Sequence, residues 1–105
     1  MAPRLEIWIG LVQLKPFDRK TYGAAGAYTN VVTWARDATE FRKKVEAIAA
    51  TMDFYVVEIE DAEPFSERIK ESIVSEEIED LFLRAESNPN AILCATFHQY
   101  PFDGA

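Results

Sequence analysis

The sequence is poor in the residues that most often carry covalent and metal chemistry. It has one cysteine, Cys94, and one histidine, His98. A single thiol excludes an internal disulfide and fits a reducing compartment, so a cytoplasmic protein is expected. One cysteine and one histidine cannot supply the three or four ligands of a zinc centre. No Gly-x-Ser-x-Gly elbow occurs. Glycine is scarce too, and the pair Gly23 and Gly26 precedes no Lys-Ser or Lys-Thr. That pair lies between two predicted strands, so it reads as a flexible connection and not as a phosphate cradle. No calcium-loop spacing of oxygen ligands is present. Neither a cofactor nor a metal is therefore expected.

Long apolar runs are missing as well. Nothing approaches the about 18 consecutive apolar residues of a membrane-spanning helix. The opening Met1-Ala2-Pro3-Arg4-Leu5-Glu6 lacks the basic start and apolar stretch of a signal peptide. Bases are outnumbered, with 11 Lys and Arg against 18 Asp and Glu, for a net charge of −7. Phosphate contacts need clustered cations, so neither nucleic acid nor an anionic membrane is an expected partner.

What is present is a core and an acidic block. Hydrophobic residues make up 49% of the 105, which is enough for one domain spanning 1–105 and excludes a disordered acidic tail. The charge is concentrated in residues 58–86, where eleven acids meet only Arg68, Lys70 and Arg84. Residues 1–57 carry two more bases than acids. A local excess of one sign on a globular chain suits a basic partner.

Hydrophobic patterning predicts seven elements. Leu5–Leu14 and Ala27–Arg36 read as strands, joined by a loop over 16–26 punctuated by Pro16, Asp18, Gly23 and Gly26. Asp37 reads as an N-cap with Glu40 as its capping-box partner. Phe41, Val45, Ile48, Ala49 and Met52 then form the apolar stripe of a helix over about 38–52, with Glu40 and Lys44 paired on its outer side. Residues 53–61 alternate as a third strand, with Tyr55, Val57 and Ile59 on one side. Phe65, Ile69 and Ile73 suggest a short helix over 65–73. Ser75 caps another helix, with Glu76 and Glu77 in its first turn and Ile78, Leu81, Phe82 and Ala85 on its apolar face. Asn88-Pro89 ends it, and Ala91–Tyr100 is a last strand. The order ββαβ(α)αβ predicts an α/β, α+β-like two-layer sandwich. Its sheet is a mixed one of about four strands, with two to three helices on one face.

Two groups of candidate site residues follow. Glu58, Glu60, Asp61, Glu63, Glu76, Glu77, Glu79 and Asp80 form a charged surface, with Trp8 and Trp34 as aromatic anchors on the sheet face left open by the helices. On this reading the protein is small, acidic and non-catalytic. It is a monomer or homodimer that masks a basic protein, for example a bacterial immunity or antitoxin protein covering the cationic active site of a toxin such as a nuclease. The alternative is a small-ligand or enzymatic module with Asn30, Trp34, His98 and Tyr100 around a pocket on that face. Cys94 reads as a core residue. His98 is expected on the same side as Cys94, Thr96 and Tyr100, within reach of Glu58 or Glu60 if its strand lies beside the third.

Overall fold

The computed structural model describes residues 4–18, 20 and 23–101. Tyr22, within the expected loop over 16–26, lies outside the described residues. The chain builds an α+β fold with a five-stranded sheet and, among the described residues, three helices. In chain order these are β1 (Glu6–Pro16), β2 (Gly26–Ala35), α1 (Ala38–Thr51), β3 (Phe54–Pro64), α2 (Phe65–Glu71), α3 (Glu76–Ser87), β4 (Ile92–Cys94) and β5 (His98–Tyr100). None of these helices is long and apolar enough to cross a membrane.

The order of elements is the one expected, but the layering is different. All strand pairings are antiparallel, so the sheet is not mixed. Its order is β3-β1-β2-β4, with β5 following β4 along the same outer edge of β2. The helices cover both faces, not one. The cause is in the central strands, which are apolar on both sides. On β1, Val12 and Leu14 are buried on one side, and Ile7 and Ile9 on the other. On β2 the neighbours Val31 and Val32 are both buried and belong to different clusters. Successive strand residues face opposite ways, so each cluster needs its own cover. Phe41, Val45 and Ala49 of α1 supply one, and Phe65, Ile78, Leu81 and Ala85 of α2 and α3 supply the other.

Caps hold the two long helices as their sequences suggest. The Asp37 carboxylate accepts from the Glu40 N–H at 2.8 Å, and the Ser75 hydroxyl accepts from the Ile78 N–H at 3.2 Å. Glu40, however, does not pair with Lys44. Its carboxylate accepts from the Arg36 N–H and meets the Arg36 guanidinium, while the Lys44 ammonium donates to the Trp34 carbonyl at 2.6 Å. Helix α2 also departs from its pattern. Phe65 is buried and stacks on Phe82 with ring centroids 4.4 Å apart, but Ile69 is exposed and Ile73 lies beyond the helix, fully in solvent.

Three strand irregularities decide which residues share a face. In β3 the register slips between Gln13/Glu58 and Leu14/Val56, and again between Ile9/Glu63 and Leu11/Glu60. The first slip leaves Val57 as an extra residue. Phe54, Val56, Ile59 and Ala62 therefore pack toward α1, while Tyr55 and Val57 are exposed, so the single alternation expected for β3 does not hold. Asp61, at φ 54°, takes the second slip in the left-handed region that aspartate tolerates better than most residues. The third irregularity splits the expected last strand. Val31 opposes Cys94 and Tyr28 opposes His98, so three residues, 95–97, stand opposite two, Thr29 and Asn30. The Thr29 hydroxyl donates to the Ala95 carbonyl at 2.9 Å and the Ala95 N–H donates to the Asn30 carbonyl, which holds this bulge in place.

Gly26 is the tightest point of the sheet. A Cβ there would collide with the Leu14 carbonyl oxygen and the Tyr100 hydroxyl. The Leu14 oxygen is backbone and cannot swing away. Gly26→Ala is expected to lower stability by about 1–3 kcal/mol, the usual range for overpacking; an unchanged midpoint in urea denaturation would contradict this packing.

Candidate functional site

The α3 face of the sheet is only half covered. Helix α3 lies over the end carrying Ile7, Ile9 and Val32, and its Ala85 carbonyl accepts from the Trp34 Nε1 at 2.7 Å. Its first turn reaches the middle of the sheet, where the Glu77 carboxylate accepts from the Thr96 N–H at 3.2 Å and from the Thr96 hydroxyl at 2.5 Å. Beyond that point the face is open.

Cross-strand register defines this open half. One row runs Glu58, Gln13, Tyr28, His98 across β3, β1, β2 and β5. The next runs Glu60, Leu11, Asn30 across β3, β1 and β2. Residues opposed in an antiparallel pair project to the same side, so these rows form one surface. Tyr100 completes it. Its ring lies 5.4 Å from that of Tyr28, and its hydroxyl accepts from Gln13 Nε2 at 2.9 Å across the bare backbone of Gly26. The result is a polar and aromatic platform with acids at both ends: Glu58 and Glu60 on β3, and the first turn of α3 beside β5.

The expected site residues fall into three groups. Glu58, Glu60, Asn30, His98 and Tyr100 share the open half. Trp34 shares their face but lies under α3 with its N–H satisfied, so it is not exposed beside them. Trp8 is on the opposite face, tilted against Phe41 at 6.3 Å, and does not join Trp34 in an aromatic patch. Alternation along β1 and β2 places Trp8 and Trp34 on opposite sides because Trp8 opposes Thr33, not Trp34.

His98 also departs from its expected surroundings. The one-residue bulge at 95–97 turns it away from Cys94, which opposes Val31 on the α1 face. The strand that carries His98 lies at the far edge from β3, about 14 Å away at three strand spacings. Glu58 and Glu60 are therefore out of reach, and the carboxylate that feels its charge is Glu77. Cys94 is partly buried, and burial pushes its thiol above its ordinary value, which disfavours the thiolate. Among the described residues no cluster of three or more histidine, cysteine, aspartate or glutamate side chains is placed to hold a metal ion.

Ion pairing sorts the acidic block. Arg68 meets Glu63 at 3.2 Å, Lys70 meets Glu67 at 3.3 Å and Arg84 meets Asp80 at 2.9 Å, so all three bases of the block are engaged. Arg68 also donates to the Asp61 carbonyl, which fastens α2 to the second irregularity of β3. Glu77 is engaged by Thr96. The remaining acids, Glu58, Glu60, Asp61, Glu71, Glu76, Glu79 and Glu86, are exposed and form no ion pair among the described residues. Periodicity alone could not distinguish Glu77 from its neighbours, because its partner Thr96 stands in a bulge that no alternation rule predicts. Gln13 carries no signal of its own for a related reason: its importance comes from register against Glu58 and Tyr28.

The protein matches no known family, no curated protein and no solved structure.

The Thr96 hydroxyl first, and then the Thr96 N–H, hold the Glu77 carboxyl below the usual carboxylate range, with His98 adding slightly and partial desolvation acting against them. A depressed folded-state pKa contributes stability above the unfolded value, ordinarily 4.5, and that contribution is lost as pH falls through the folded value. Glu77→Gln should therefore be less stable than the parent at pH 7. The gap should begin to close once the pH drops below 4.5. Urea midpoints measured at both ends of this range test it; a gap that stays constant on acidification would show that the carboxylate charge is not the contributor.

Proposed function

We propose that this is a non-catalytic binding protein that recognises a basic protein surface through the open half of its α3 face and the acids around it. The observation that supports this reading is the charge balance. Every base within the block is engaged by an acid of the block, yet seven exposed acids remain without an ion pair among the described residues. Like charges on one helix turn repel by a few tenths of a kcal/mol per pair, and a cationic partner relieves that repulsion.

The concrete form is a bacterial immunity or antitoxin protein, working in the cytoplasm as a monomer or homodimer. It masks the cationic active site of a toxin such as a nuclease. A nuclease site must be basic to hold phosphate, and fixed carboxylates on a rigid sheet imitate that phosphate. Glu58 and Glu60 suit the task because a strand backbone fixes them, and Tyr28 and Tyr100 between the acids offer aromatic contact area at low entropic cost. Charge complementarity acts mainly on the association rate, which matters most to a protective inhibitor.

The test has two arms. Capture of a partner from cells that make the protein should weaken sharply as salt rises. Replacing Glu58, Glu60, Glu76 and Glu79 together with Gln should slow association with the captured partner by about tenfold or more, with a smaller change in dissociation. Capture that ignores both salt and these four carboxylates rejects the reading.

A further inference from the structure

Strand β3 ends the sheet opposite β4 and β5. It pairs with β1 alone, and among the described residues no strand pairs with its outer side. An edge of this kind presents a row of main-chain donors and acceptors. Its two flanks differ in chemistry. On the α1 side, Ile59 and Ala62 line a groove of about 250 Å³ with Ala38, Thr39 and Arg42. On the α3 side, Glu58 and Glu60 are exposed and make no ion pair among the described residues. At the start of the strand Tyr55 and Val57 are 44% and 41% exposed, and Phe17 packs on Tyr55 at 5.4 Å.

Proteins guard such edges with charge and bulges, and β3 has both. The guard is of one sign. A second copy of this chain added at β3 would bring Glu58, Glu60 and Asp61 against their own counterparts, and directly opposed like charges are destabilising. A basic strand meets no such repulsion. The edge disfavours pairing with its own copy while remaining open to cations.

We propose that β3 takes up an extended basic segment of a partner protein by strand addition. The guest lies along Tyr55–Glu60, across the Val57 bulge and short of the Asp61 irregularity. Its alternate side chains divide between the two flanks: apolar ones enter the groove beside Ile59 and Ala62, and Lys or Arg meet Glu58 and Glu60. Main-chain bonds supply affinity and the two unlike flanks supply selectivity, as in other strand-addition modes. This inference rests on the reading of the partner as a basic protein and specifies how that partner engages.

The full chain is titrated with a labelled eight-residue peptide of alternating Lys and Val, and with the same peptide N-methylated at every amide. The second peptide keeps charge and side chains but cannot donate main-chain hydrogen bonds. Saturable binding of the first, binding of the second weaker by about tenfold or more, and slowed amide hydrogen exchange centred on Tyr55–Glu60 are expected. Equal binding of the two peptides, slowed exchange confined to other strands, or no saturable binding of either overturns strand addition. If strand addition fails while salt and the Glu→Gln changes still weaken partner capture, charge recognition stands without it. If those too have no effect, both readings fall together.

Discussion

The two-sided burial of the β1–β2 hairpin is the constraint on which the rest of the structure depends. A hairpin with one apolar face needs one covering layer. This one carries Val12, Leu14 and Val31 on one side and Ile7, Ile9 and Val32 on the other, all nearly or fully buried. At about 25 cal/mol per Å² of apolar surface, leaving either side wet would forfeit several kcal/mol, a large part of a small domain's stability. The single helix between β2 and β3 can serve only one side. The chain after β3 must therefore return across the other, and α2 and α3 do so. Position in sequence and position in layer are linked by that requirement.

The same requirement explains where the cover stops. On the α3 face the buried residues end at Ile9 on β1 and Val32 on β2. Past them come Leu11 and Gln13, Asn30 and Tyr28, none of them buried. Helix α3 spans the apolar part and its N-terminus stops beside Thr96, where the buried surface runs out. The open platform is the remainder of a hairpin longer than the helix that covers it. Its exposure follows from hairpin composition and helix length together, and no loop has to move to create it.

Much of this was legible in the sequence because it rests on local rules. The caps at Asp37 and Ser75, the stripe Phe41, Val45, Ala49 and the face Ile78, Leu81, Ala85 each follow from spacing within one element, and each is found in place. Expectation and structure part wherever two elements have to be aligned. Reading the last strand as continuous put His98 with Cys94; one extra residue at 95–97 reversed that. Reading β3 as one alternation puts Tyr55 and Val57 on the side of Ile59; one extra residue at Val57 separates them from it. A bulge has almost no sequence signature, since its cause is a tertiary hydrogen bond such as Thr29 to Ala95. The number of covered faces is obscured in the sequence for a different reason. The adjacent pair Val31-Val32 does signal burial on both sides, but the alternating polar residues of β3 and the outer part of β1 suggested one open face.

The acidic block can now be divided by use. Glu63 ties α2 to β3 through Arg68, Glu67 and Asp80 make exposed pairs within α2 and α3 with Lys70 and Arg84, and Glu77 ties the start of α3 to the bulge that orients His98. These four carboxylates have partners within the fold. Glu58 and Glu60 are different. They stand on a strand, where glutamate is disfavoured, and neither forms an ion pair among the described residues. Their backbone is fixed between two bulges, so their separation and direction are set by the sheet and not by rotamer choice alone. Charge that is fixed, exposed and locally unbalanced favours a partner of opposite sign with matching geometry over a diffuse ion atmosphere. That is the physical reason to place recognition at β3 and not uniformly over the acidic surface.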